Sequence, residues 1–519
     1  MNAESSFESP LRAALLAAVL FGAVGVGAQG QQDVWGPQEP PFLPERPIVI
    51  VGGTLIDATG APPRLDHTVV IEGDRIARIG PTPEVRIPGG ASVIDATDMT
   101  VMPGLINSNQ HIQLNPMYPS PTANLTLDQI KARWEETWSR MPQRAFVYLM
   151  QGVTSMRQTS GPSKQILPVK QAIDRGEIPG PRIFLGGALF TSQAHFDHYV
   201  ESSNTPPEAI EWMRNEFAYN VVDDIEADTD PFIGPDFNYW KLYMSEEIFD
   251  GKNDFTDDEL RRIIAKAHAN GKIVDVHCGG HNDGLRRMTS FDVDTLEHPF
   301  YGQELIAEDV IDAYVKNGVI VDTLLTVMVA GAERGADPHR FDETLYLMSV
   351  EPKEYRLLMR YRDKMLENKR NPAEGGVPIY DAGPRRGSGS DRADAFGLRG
   401  PSYDELQRRR ETSRENMRRF IRAGAKFSMG TDTPAFLNFQ QEDPNANEMR
   451  YLVEMGMTPM AAIEASTRIG AEALGLSRDL GTLEEGKLAD VIVVAGNPLL
   501  DMRAMKRVYA VIKGGVRYK

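Results

Sequence analysis

The sequence predicts an α/β protein: a (β/α)8 TIM barrel with a small β-sandwich domain assembled from both ends of the chain. Three observations predict it. The middle of the chain repeats one unit, an amphipathic helix, a glycine stop and an apolar strand. Both ends share a different texture, short β-rich runs broken by Gly and Asp. Polar side chains also sit at the ends of apolar runs scattered along the sequence, and only a closed barrel makes such ends converge.

The elements follow in order. Residues 1–28 read as a secretory signal, because Arg12 precedes an apolar run over 13–28 that ends in Val26-Gly27-Ala28. That run is too short and too rich in Gly for a comfortable span. No stable membrane insertion is expected, and the mature chain is expected in the periplasm or outside the cell. A retained N-terminal anchor is the alternative, since Glu4 and Glu8 dilute the positive flank. Residues 29–46, rich in Gln, Pro and Glu, read as a linker. Strand-like runs at 48–56 and 68–79 place the first part of the small domain at 47–100. Runs at 489–494 and 508–518 place its second part at 481–519.

The barrel is expected between them, over 101–480. Helix 142–151 stops at Gly152 before strand 153–157, and helix 257–269, capped by Thr256, stops at Asn270-Gly271 before strand 272–277. Helix 307–316 leads to strand 319–325, and helix 413–423 to strand 426–431. Strands near 101–108, 182–188, 238–243 and 293–297 complete a set of eight. A doubly wound open sheet is the alternative, disfavoured because its strand ends would not meet at one site. An insertion over 330–412 separates the last two strands and is roughly twice a usual connection. Its part at 371–402, rich in Gly, Pro, Arg and Asp, reads as a loop at the barrel mouth, either a lid or a plain surface insertion.

Bulk properties narrow the function. Of 519 residues, 41% are hydrophobic and 25% charged, which describes a globular domain of ordinary composition. The net charge of −17 argues against nucleic acid or an anionic membrane as partner and leaves a small-molecule substrate, with a homo-oligomer open. The sole cysteine, Cys278, excludes a disulfide within the chain and reads as a small neighbour of His277, not a nucleophile.

The chemistry lies at the strand ends. His111 closes Ser108-Asn109-Gln110-His111, Lys241 lies in Tyr239-Trp240-Lys241-Leu242-Tyr243, His277 ends Val274-Asp275-Val276-His277, His298 ends Thr295-Leu296-Glu297-His298, and Asp432 ends Met429-Gly430-Thr431-Asp432. Residues two apart on a strand face the same way, so Asn109 and His111 can both point into the mouth. Imidazole nitrogens and a carboxylate suit a hydrolytic divalent metal, zinc first, with manganese or iron as alternatives. Tyr243 could hydrogen-bond a scissile carbonyl or a substrate carboxylate, or simply pack.

Further segments extend the pattern. Gln151-Gly152-Val153-Thr154-Ser155-Met156-Arg157, Gly176-Glu177-Ile178-Pro179-Gly180-Pro181-Arg182-Ile183 and Gly481-Thr482-Leu483-Glu484-Glu485-Gly486-Lys487-Leu488-Ala489-Asp490 join the strand-end residues. Together they resemble the amidohydrolase superfamily, in its imidazolonepropionase and prolidase-like branch, over most of residues 47–519. The resemblance implies a metal held by His111, Lys241, His277, His298 and Asp432, with Asp432 also the proton acceptor. It implies carboxylation of Lys241 as a bridge between two ions, although an ordinary lysine paired with Asp or Glu is the other reading. It places His195 near the substrate. The chain departs from the family at Asn109, where the family carries the first His of His-x-His, so one ion or two remain open. The expected activity is hydrolysis of a C–N amide-type bond in a cyclic amide, an N-acyl amino acid or a peptide-like substrate. An Xaa-Pro-type dipeptidase and a non-catalytic binding protein on a degenerate barrel are the alternatives.

Overall fold

The computed structural model describes residues 46–113, 125–202, 206–216, 219–244, 255–277, 281–300, 304–326, 403–433 and 443–519. The expected signal, nearly all of the linker, Cys278 and the loop 371–402 lie outside these residues.

The small domain begins with β1 (Ile48–Leu55), β2 (Arg64–Glu72) and β3 (Arg75–Pro81), an antiparallel meander. Then β4 (Ser92–Asp95) and β5 (Met99–Pro103) return parallel to β1. The register of β1 shifts at Gly53, so Ile48–Val51 pair with β4 and Thr54–Leu55 with β5. One strand thereby feeds both halves of the sandwich.

The expected strand 101–108 is in fact two. Met99–Pro103 belongs to the small domain, and the barrel starts with β6 (Leu105–Gln110). The chain crosses at Gly104, whose N–H donates to the Asp490 carbonyl at 2.9 Å. The continuous apolar texture of 101–106 hid this break, because both strands are buried on both faces.

Parallel strands follow around the barrel: β7 (Val153–Gln158), β8 (Arg182–Leu185), β9 (Leu189–Thr191), β10 (Tyr219–Val221), β11 (Tyr239–Tyr243), β12 (Ile273–His277), β13 (Thr295–Glu297), β14 (Ile320–Asp322) and β15 (Lys426–Ser428). Gly186-Gly187 splits the third barrel strand into β8 and β9, and β10 is an added strand beside β9. The ladder is two sheets, β6-β7-β8 and β10-β9-β11-β12-β13-β14-β15, rather than one unbroken ring. Hydrogen bonds join both seams. Asn238 N–H donates to the Leu185 carbonyl at 2.7 Å, and Ser108 N–H to the Met429 carbonyl at 2.8 Å. At the second seam Gly430 permits the approach, since a Cβ there would stand 2.9 Å from the Asn109 Cβ. The domain closes on itself with β16 (Val491–Ala495) antiparallel to β5, then β17 (Val508–Lys513) and β18 (Val516–Arg517).

The helices keep the expected punctuation. Asp257–Ala269 carries a full capping box between Thr256 and Glu259, and Glu308–Asn317 ends on left-handed Gly318. The last expected helix is longer, Tyr403–Ala423, so residues 403–412 belong to it and not to the insertion.

Inside the barrel a buried polar network replaces apolar filling. Arg157 on β7 donates to the Ser108 carbonyl (2.5 Å) and Thr295 Oγ1 (2.9 Å), and pairs with Asp322 and with Asp275 (3.2 Å). Burial opposes its charge, but the two carboxylates hold its guanidinium above the ordinary value. Removing one partner of such a cluster strands the others. Arg157→Met should cost about 3–5 kcal/mol, measured by urea unfolding, and a loss below 1 kcal/mol would show the network is not structural.

Candidate metal centre

The ends of β6, β7, β11, β12, β13 and β15 carry the site above this network. On β13, neighbouring residues should face opposite ways. Glu297 nevertheless shares the site with His298, because the strand ends there and His298 adopts a left-handed φ of 36°. Asp432, beyond β15, has a left-handed φ of 51°. Non-glycine residues held in this region cost of order 1–3 kcal/mol and cluster at functional sites.

The first half of the site is His277, Glu297 and His298, whose ligand atoms lie within 4.8 Å of one another. The two rings meet edge to face at 4.2 Å. Glu297 Oε2 lies 4.0 Å from His277 Nδ1 and 3.9 Å from His298 Nε2. Lys241 Nζ donates to the same Oε2, which ties the end of β11 to this group. His277 Nε2 and Glu297 Oε1 are buried and have no hydrogen-bond partner among the described residues. Burial, with the neighbouring imidazoles and Lys241, holds His277 well below its ordinary value, and burial depresses His298 to about 3 although Asp432 opposes it. Both rings are therefore neutral, the state that binds metal. Burial and then Asp275 push the Glu297 carboxyl up, a shift that a nearby cation would reverse.

These residues fit a divalent cation. Two imidazoles and a carboxylate are a catalytic zinc set that leaves a fourth position open. Ligands around tetrahedral zinc at about 2.1 Å stand about 3.4 Å apart, close to the spacing present.

The second half is His111, Asn109 and Asp432. His111 Nε2 lies 2.8 Å from Asp432 Oδ1, and Thr159 Oγ1 donates to Asn109 Oδ1 at 2.7 Å. The two halves sense each other, since Asp432 is the chief charge acting on His298. Along one wall Tyr243 stacks on His277 at 4.2 Å, and His195 lies 4.7 Å from Tyr243.

The structure brings His111, Asn109 and Asp432 together in one half and Lys241, His277 and His298 in the other, with Tyr243 and His195 along the wall. Sequence reasoning missed Glu297, Thr159, and Gln113 and Gln158, whose Nε2 atoms lie 3.2 and 3.4 Å from His111 Nδ1. Glu297 was masked by strand alternation, which assigns it the face opposite His298. Gln113 had a signal, since it sits two residues beyond His111.

A model of the amidohydrolase family matches residues 100–517. The chain belongs to that family, hydrolases that act on carbon–nitrogen bonds and generally use a divalent metal. An ochratoxinase from Aspergillus niger is 24% identical over 91% of this chain and 86% of its own length. An imidazolonepropionase from Geobacillus kaustophilus is 23% identical over 82% of this chain and 83% of its own. Among solved structures, an Xaa-Pro dipeptidase with bound methionine superposes with a TM-score of 0.63 at 20% identity, covering 91% of this chain and all of that one. The superposition carries the barrel and its sandwich domain to this chain.

Proposed function

We propose that this chain is an exported metal-dependent amidohydrolase that cleaves a C–N amide-type bond of a small molecule with activated water. The observation that supports it most is the group His277, Glu297 and His298, two neutral imidazoles and a carboxylate with buried acceptor atoms unsatisfied. A bound cation, zinc first, would supply Lewis acidity to the water and to the scissile carbonyl. His277 and His298 would hold it, with Glu297 or Lys241 as the third ligand. Asp432 takes the proton of the attacking water and delivers it to the leaving nitrogen. Tyr243, braced on His277, donates its phenolic O–H to the developing oxyanion. His195 lies behind Tyr243 and orients substrate.

The names of the relatives span an ochratoxinase, an imidazolonepropionase and an Xaa-Pro dipeptidase, so the family does not select one amide. A screen of N-acyl amino acids, lactams and dipeptides with metal-loaded enzyme tests the reading. Hydrolysis confined to Xaa-Pro dipeptides would favour the dipeptidase, and metal retention without turnover of any class would favour a binding protein.

Two more outcomes are expected. A carboxamide oxygen is a poorer donor to zinc than imidazole, and the Asn109 oxygen already accepts the Thr159 hydroxyl. Metal content should be nearer one ion per chain than two, and elemental analysis finding two tightly held ions would sink this. For export, N-terminal sequencing of the secreted or periplasmic protein should begin near Gln29, and a mature chain starting at Met1 would contradict it.

A further inference from the structure

The turn Thr431-Asp432-Thr433 is gripped by a buried polar chain that leads out of the site to the helix Pro444–Glu454. Asn107 Oδ1 accepts the backbone N–H of Asn109 at 3.0 Å, which fixes the orientation of the Asn107 amide. Both N–H bonds of Asn107 Nδ2 are therefore directed, one to Thr431 Oγ1 at 2.9 Å and the other to Asn445 Oδ1 at 2.8 Å. Because Thr431 Oγ1 accepts from Asn107, its own hydrogen goes to Thr433 Oγ1, its second contact. The two hydroxyls bracket Asp432. The N–H groups of Thr431 and Asp432 both donate to the Asn109 carbonyl, at 2.9 and 2.8 Å. Asn107, Thr431, Thr433 and Asn445 are all buried.

The far end of this chain is itself anchored. Asp443 caps the helix by accepting the Ala446 N–H at 2.9 Å. One turn on from Asn445, Glu448 accepts the N–H groups of Leu325 and Thr326 at 2.9 and 2.6 Å, so the same helix also holds the turn after β14. There Leu324 has a left-handed φ of 44°, and its Cδ2 packs against Gly430, where a Cβ would stand 2.9 Å from it. Asp432, strained at a φ of 51°, is thus braced from the β6 side and from the β14 side. Such a conformation persists only where the surroundings over-determine it.

We propose that Asn445, acting through Asn107 and Thr431, is a positioning residue that holds the Asp432 carboxylate in its working direction. The inference rests on the reading of Asp432 as the proton acceptor. An apolar contact between helix and strand would fill the same space but carry no direction, whereas this chain of oriented amides and hydroxyls admits one arrangement. Direction matters here, because the carboxylate must meet the water on one side and the leaving nitrogen on the other. A displacement of about 1 Å, caused far from the chemistry, can cost about 100-fold in rate.

A mutant cycle in the full chain tests this. Asn445→Leu and Thr431→Val each remove one polar link at nearly constant volume. Each should lower kcat about 10- to 100-fold, with KM and zinc content little changed. Thr431→Ser keeps the hydroxyl and should return kcat toward that of the unmodified protein. In an Asp432→Asn background, Asn445→Leu should cost less than about twofold more, because its effect passes through the carboxylate already removed. Hydrogen exchange read by mass spectrometry needs no turnover. The Thr431 and Asp432 amides should lose protection in Asn445→Leu and Thr431→Val and keep it in Thr431→Ser. An unchanged kcat in Asn445→Leu, an equal loss in both backgrounds, or unchanged exchange at these amides would overturn the inference. Should Asn445→Leu not fold, Thr431→Val set against Thr431→Ser decides by the same measures. If Asp432→Asn itself keeps its activity, or no amide is turned over, the reading of Asp432 as proton acceptor fails first and takes the inference with it.

Discussion

Replacing His277 or His298 by Ala is expected to strip the divalent metal and lower kcat/KM by more than 100-fold. Loss of a partner outside the coordination shell already costs 10–100-fold in affinity or activity, so loss of one of two imidazole ligands must exceed that. His298 is buried and His277 half-buried, and desolvation holds both rings below their ordinary values, so no proton has to leave before metal binds. The fold should survive each substitution, because the network around Arg157 lies on separate contacts from either ring. The measurements are elemental analysis after dialysis, circular dichroism and turnover of whichever amide the screen identifies. A folded His277→Ala protein that keeps stoichiometric zinc would exclude His277 as a ligand, and full activity in a demonstrably metal-free preparation would end the metal mechanism.

How far the sequence revealed this site follows from the periods that shape it. Helices with Thr or Gly at their ends and apolar strands between them were legible, and Asp257–Ala269 matches its expected bounds. His277 ends β12 and follows the alternation of Asp275, so its direction could be read from spacing. Glu297 could not, because its convergence with His298 depends on a backbone twist that one-dimensional periodicity does not carry. The break at Gly104 was hidden for another reason: two successive strands, both buried, make one continuous apolar run. Lys241 showed its nature but not its partner, since Glu297 lies 56 positions away in the chain. The contacts of His111 with Gln113 and Gln158 run through residues of two strand ends, and no pairwise spacing encodes them.

Asp432→Asn is expected to lower kcat by about 10²–10⁴, the usual worth of a positioned general base, while the protein keeps its zinc. The substitution is chosen for its backbone. Asp432 has a φ of 51°, and Asn tolerates the left-handed region where Ala would be strained. The amide also keeps an oxygen at the Oδ1 position, so the bond from His111 Nε2 can persist. What disappears is the ability to take a proton from water and return it to the leaving nitrogen. The loss should therefore fall on kcat, with KM close to unchanged, since uniform binding is untouched. Comparison with Asp432→Ala separates chemistry from geometry: Ala removes the acceptor of His111 and strains the turn, so it should lose stability as well as turnover. If Asp432→Asn retains more than a tenth of the activity, the carboxylate is not the base, and another acceptor among the residues around the water must take the proton.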